Sequence, residues 1–118
     1  MLARVSTYEG PPDRLQEGRS HVRERILPAA RNIAGFSGIL LLADRETGRA
    51  LSITLWESEQ AMRDSEEQAS RLRRESAEAG GQTIAGVERY NEVPIFEVSL
   101  TASGEERGLV DRLTGRYR

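Results

Sequence analysis

Apolar residues bunch in the middle of this chain. A run from Phe36 through Ile39-Leu40-Leu41-Leu42 to Asp44 is followed by the polar stretch Arg45-Glu46-Thr47-Gly48. A second run from Arg49 then alternates apolar with small polar residues as far as Trp56. Two such runs around a short polar turn predict a β-hairpin, and Gly48 can take the positive φ that these loops need. Ser58 is a suitable N-cap for the charged segment that follows. The pattern thus predicts a hairpin that delivers the single tryptophan to the start of a helix.

On either side the periodicity changes twice. Leu2 to Tyr8 alternates, with Leu2, Arg4, Ser6 and Tyr8 on one face, as in a short strand. After Gly10-Pro11-Pro12, apolar residues at Leu15, Val22, Ile26, Ala29, Ala30 and Ile33 mark one face of an amphipathic helix from Asp13 to about Ala34. Pro28 lies inside it and should kink or split it, because proline removes a backbone hydrogen bond and crowds the preceding turn. A second helix is predicted over Glu59 to Ala79, with an inward stripe at Met62, Ser65, Ala69, Leu72, Ser76 and Ala79. Its charge run reads as a solvated face laced by the Glu59–Arg63 and Glu67–Arg71 pairs. Thr83 to Val93 alternates as a last strand; Pro94 interrupts it, and Ile95 to Leu100 reads as a further strand after a bulge.

The order β-α-β-β-α-β is the split-βαβ, ferredoxin-like plan: an α+β domain with a four-stranded antiparallel sheet and both helices on one face. It occupies residues 1–100, and residues 101–118 form a tail, either a short helix or loose chain. The strands carry apolar residues in both alternation classes, so the uncovered face needs a partner. A second copy of the same sheet, giving a homodimer through sheet faces, meets that need most simply.

Composition narrows the functional classes. One domain is expected from 118 residues. A net charge of −2 speaks against a general nucleic-acid binder. The lack of cysteine removes disulfides, thiolate nucleophiles and Cys-based metal sites. One histidine, His21, is too few for the usual multi-His metal sites. No apolar run reaches the roughly 18 residues needed to span a bilayer, and no signal-like segment opens the chain, so a cytoplasmic protein without membrane contact is expected. An RNA-recognition domain shares this strand order but carries stacking aromatics on a central strand; Leu51-Ser52-Ile53-Thr54-Leu55 offers none.

Among the remaining candidates, Trp56 is either the wall of a pocket for a flat aromatic ligand or a plug sealing the sheet against the second helix. His21 is the residue type best suited to general-base chemistry near neutral pH, although it lies on a charged helix. Arg4 and Tyr8 share a strand face, where an inward arginine would hold a phenolate or carboxylate or else pair with a glutamate. Arg89 on the last strand is a candidate of the same kind.

The segments Gly35-Phe36-Ser37-Gly38, Leu55-Trp56-Glu57-Ser58-Glu59-Gln60-Ala61-Met62 and Val87-Glu88-Arg89-Tyr90 resemble the antibiotic biosynthesis monooxygenase-like family of the dimeric α+β barrel superfamily. The resemblance covers roughly residues 2 to 93. It implies oxygenation of a planar aromatic small molecule with no cofactor and no metal, in a mainly apolar cavity near Trp56. The asparagine found four residues before the tryptophan in some quinone-forming members is Ser52 here. The helix histidine frequent in the family falls at Ser65 or Glu66, and the first-strand asparagine of haem-degrading members is missing. The expected site is therefore Trp56, Ser52 and His21 as catalytic groups, with Arg4, Tyr8, Ser65 and Met62 against the substrate. The alternative is a ligand-binding or assembly dimer of the same fold without enzymatic activity.

Overall fold

In the computed structural model, which describes residues 1–99, four strands form one antiparallel sheet in the order β2-β3-β1-β4. The strands are β1 (Leu2–Glu9), β2 (Phe36–Ala43), β3 (Ala50–Trp56) and β4 (Thr83–Tyr90). With helices between β1 and β2 and between β3 and β4, this is the expected ferredoxin-like arrangement.

The register sorts side chains into rows across the sheet. On the face toward the helices, Leu2 lies opposite Trp56, which lies opposite Phe36. The next row holds Arg89, Arg4, Thr54 and Ile39; the one after holds Val87, Ser6, Ser52 and Leu41. The other face carries rows such as Val5-Ile53-Leu40 and Thr7-Leu51-Leu42. Leu40 and Leu42 are both exposed there, so nothing within the described residues covers that side of β2.

Two glycines make the hairpin and its junction possible. Gly48 closes the turn at φ +82°, so close to the neighbouring loop that a Cβ would fall 1.9 Å from the Gly10 carbonyl oxygen. Asp44 organises the same turn, its Oδ1 accepting from the amides of Glu46 (2.8 Å) and Thr47 (3.1 Å). Gly35, at φ +81°, lets the chain leave the first helical region directly against Ala61.

The first helical region departs from a single helix over Asp13–Ala34. Pro12–Arg14 is a 3₁₀ turn, α1 spans Leu15–His21, a π turn spans Val22–Ile26, and α2 spans Leu27–Arg31. Pro28 explains the interruption. It has no N–H for the α-helical bond to residue 24, and the chain widens just before it, with the Leu27 amide bonded to the Val22 carbonyl. The expected kink is thus a π turn.

The second helical region is also broken, into α3 (Glu59–Asp64) and α4 (Glu66–Ala79). Ser58 caps α3 as expected, its Oγ accepting from the Ala61 amide at 3.0 Å. The break falls at Ser65, whose Oγ donates back to the Met62 carbonyl at 2.7 Å, a local bond that competes with the helical ladder. Both Met62 and Ser65 face inward and are buried.

The last segment corrects one expectation. β4 ends at Tyr90, and residues 91–99 form no strand; Ile95 is 82% exposed. The ladder stops before Pro94, and no strand resumes after it among the described residues. The expected tail, residues 101–118, lies outside the described residues.

Candidate functional site

A cavity of about 480 Å³ lies between the sheet and the helices. The inward rows of β1, β2 and β3 form its floor, and Leu15, Val22 and Ile26 with Ala69 and Leu72 of α4 form its walls. Most of that lining is apolar. Polar groups gather on the β1–β3 side, where Ser6, Tyr8 and Ser52 line the cavity together.

Trp56 closes one end. It is 1% exposed, packs with Leu2 and Met62, and meets the Phe36 ring edge-on with 5.7 Å between centroids. Its indole Nε1 donates to Thr54 Oγ1 at 3.0 Å, so the polar edge is satisfied within its own strand. The tryptophan is a core plug, and it is also among the cavity-lining residues.

Arg4 is the most unusual group here. It is 2% exposed, and its guanidinium carbon lies 5.3 Å from the centroid of Trp56, a cation–π position. Nη2 alone makes its hydrogen bonds: to the Met62 carbonyl (2.9 Å), Ser65 Oγ (3.3 Å) and Glu66 Oε2 (2.7 Å). The broken helix provides this nest, because the end of α3 turns the Met62 carbonyl, shared with Ser65 Oγ, toward the arginine and α4 opens with Glu66. Nε and Nη1 are buried without a partner.

Glu66 serves further arginines. Arg89, the cross-strand neighbour of Arg4, donates to both its oxygens, and Arg73 Nη2 stands 4.0 Å from Oε1. Two like charges side by side on adjacent strands repel, and Glu66 makes the pairing tolerable. Burial alone would raise the Glu66 carboxyl, but the bond from Arg89 and the charge of Arg4 outweigh it and hold the group below the usual carboxylate range. Burial draws the Arg4 guanidinium below its ordinary value, with Glu66 acting in opposition. Burial also pushes the Tyr8 phenol up, opposed by the Ser52 and Ser6 hydroxyls and by Arg73.

The structure brings together Trp56, Ser52, Arg4 and Tyr8 of the expected site around one cavity. Ser65 and Met62 sit behind them: Met62 in the core with Trp56, and Ser65 as a partner of Arg4. His21 is elsewhere. It is not among the cavity-lining residues, and its Nε2 lies 3.9 Å from Glu75 Oε1, an oxygen already bonded by Arg25. Sequence reasoning missed Arg73, whose Nε donates to Ser6 Oγ at 3.2 Å inside the cavity. Its spacing of four from Ala69 places it on the inward face of α4, a signal obscured by the charged residues around it.

Sheet order, roofing helices and a tryptophan-ended cavity define a ferredoxin-like α+β domain. Solved structures share that fold. A candidate antibiotic biosynthesis monooxygenase from Deinococcus radiodurans superimposes with a TM-score of 0.63 at 16% identity, covering 84% of this chain and 99% of its own. The ActVA-Orf6 monooxygenase of Streptomyces coelicolor, solved with the ligand nanaomycin D, gives 0.60 at 17% identity over 85% and 92%. A dimeric ferredoxin-like protein from an uncultured marine organism gives 0.56 at 14% identity over 83% and 93%. The resemblance read around Trp56 thus holds at the level of the fold.

No protein-family model matches the chain. In sequence it is 36% identical over 104 residues to the uncharacterised protein Rv2557 of Mycobacterium tuberculosis, covering 88% of this chain and 46% of that one. It is also 39% identical over 77 residues to the uncharacterised Rv2558 of the same organism, covering 65% and 33%. The chain therefore spans about half the length, or less, of the curated relatives it matches. Among the described residues no helix is long and apolar enough to cross a membrane.

Proposed function

We propose that this domain binds a planar aromatic small molecule in the cavity beside Trp56 and oxygenates it with O₂, without a cofactor or metal, as a dimer. The observation that carries the reading is the cavity itself: about 480 Å³, largely apolar, ended by a buried tryptophan and bordered by the Tyr8, Ser6 and Ser52 hydroxyls. The fold it shares with monooxygenase structures, one of them holding a ligand, supports the same reading. For an anthrone the balance is simple. The ring CH₂ becomes a carbonyl with one atom of O₂, the other atom leaves as water with the two hydrogens, and the substrate itself is the reductant. Tyr8 and Ser52 are then the hydroxyls that orient the substrate oxygen.

One observation favours a second reading, binding without turnover. No Asp, Glu or His lines the cavity among the described residues, so substrate deprotonation has no side-chain base at hand. Oxygenation then requires a substrate acidic enough to arrive ionised.

Oxygen uptake with anthrone, alongside quenching of Trp56 emission, separates the two. The enzyme reading expects O₂ consumption that falls at least tenfold in Ser52→Ala and Tyr8→Phe. Saturable quenching with no O₂ consumed supports binding alone. Absence of both removes the small-molecule reading.

A further inference from the structure

The cavity is charged in only one sense. The chain as a whole is slightly acidic at net −2, yet every ionic side chain lining the cavity is an arginine: Arg4, Arg19, Arg45 and Arg73. Arg19 comes from α1 and Arg45 from the hairpin turn. Arg4 and Arg73 belong to the buried wall, with side chains 2% and 9% exposed.

The counter-charge at that wall is incomplete. Glu66 is the single carboxylate within 4.0 Å of Arg4, Arg73 and Arg89 among the described residues, which leaves three cations on one anion. Arg4 spends one nitrogen on all its partners, and its Nε and Nη1 are buried with none. Buried charged donors without acceptors are costly, and native proteins retain them chiefly where something else completes them. Arg73 is anchored by Ser6 through Nε and stands at the outer limit of ion pairing with Glu66, so Glu66 does not neutralise it fully.

We infer that the Arg4–Arg73 wall is an anion subsite and that the natural ligand is a planar aromatic carboxylic acid whose carboxylate binds there. A carboxylate is favoured over a phenol by charge alone. Its ordinary pKa near 4 keeps it fully ionised at neutral pH, whereas a phenol near 10 arrives uncharged and adds nothing to the balance. Arg19 and Arg45, which also line the cavity, extend the positive field and raise the local concentration of such an anion. The inference rests on the small-molecule reading above and deepens it by naming the ligand's charge.

The test compares two probes of one shape, anthraquinone-2-carboxylate and the uncharged anthraquinone-2-carboxamide, by calorimetric titration of the full chain in 0.15 M salt. The carboxylate should bind at least about tenfold more tightly, the scale of one charge-assisted contact. Arg73→Met, which keeps most of the apolar stem, should cut that preference below about threefold. Arg4→Met should do the same, and the comparison within the wild-type chain stands even if that variant does not fold. Equal binding of both probes to wild type overturns the anion subsite but leaves the small-molecule reading intact. So does a preference that survives both substitutions. Binding of neither probe overturns both readings.

Discussion

Glu66 holds together what the sheet would otherwise push apart. Arg4 and Arg89 are directly paired across β1 and β4, and Arg73 reaches toward them from α4. The sign of its pH effect follows from its lowered pKa. The unfolded chain holds this carboxyl at its ordinary value near 4.5, so its contribution to stability is complete above that pH. It is lost as pH falls through the lower native value. The urea midpoint should therefore drop as pH falls below about 4.5, and Glu66→Gln should flatten that part of the profile and be less stable at neutral pH. A variant profile as steep as wild type would show that other carboxylates govern acid unfolding. Trp56 and Arg4 show how far residues alone could be read. An inward tryptophan at a strand end was legible from alternation, as was an arginine on the Leu2–Ser6–Tyr8 face. That the two stack, and that Arg4 is half-satisfied, depends on where the α3–α4 break sets the Met62 carbonyl. Nothing within β1 encodes that.

At the scale of elements, the hairpin is set by two local devices, the Asp44 side chain and Gly48. Gly48→Ala forces a Cβ into the left-handed region and into the Gly10 carbonyl, so it should cost about 1–3 kcal/mol in chemical denaturation. A neutral effect would mean that the β2–β3 turn moves independently of the loop after β1. The strands were readable because turn chemistry and alternation agree there. The helices were harder for a physical reason. Helical periodicity records which side faces the sheet, and both the π turn before Pro28 and the break at Ser65 keep that side inward while changing the hydrogen bonding beneath it. The resumed strand after Pro94 failed differently. Ile95, Phe96 and Val98 have strand-like side chains, but β1, the neighbour of β4, starts at Leu2 opposite the end of β4, so among the described residues no strand extends far enough to pair with them.

At the scale of the molecule, the sheet has one face roofed by helices and, among the described residues, one bare. The bare side includes Val5, Ile53 and Leu55, half-buried, with Leu40 and Leu42 exposed at 43% and 45%. A second copy seated there forms the proposed dimer. Leu40→Asp should convert a dimer into a monomer in sedimentation equilibrium, leaving the cavity on the opposite face intact. A wild-type monomer at micromolar concentration would dispose of the dimer.

The position of β2 has a colloidal consequence. It is the outermost strand on its side, and from Gly38 to Ala43 it carries no charge and no proline. Short uncharged strands rich in leucine, with one free row of backbone amides and carbonyls, are templates for uncontrolled stacking. Asp44 and Arg45, just past the end, are the charged residues positioned to discourage it. Neutralising Arg45, as in Arg45→Gln, should therefore promote fibrillar aggregation seeded at β2, and thioflavin fluorescence of that variant should rise faster than that of the wild-type chain.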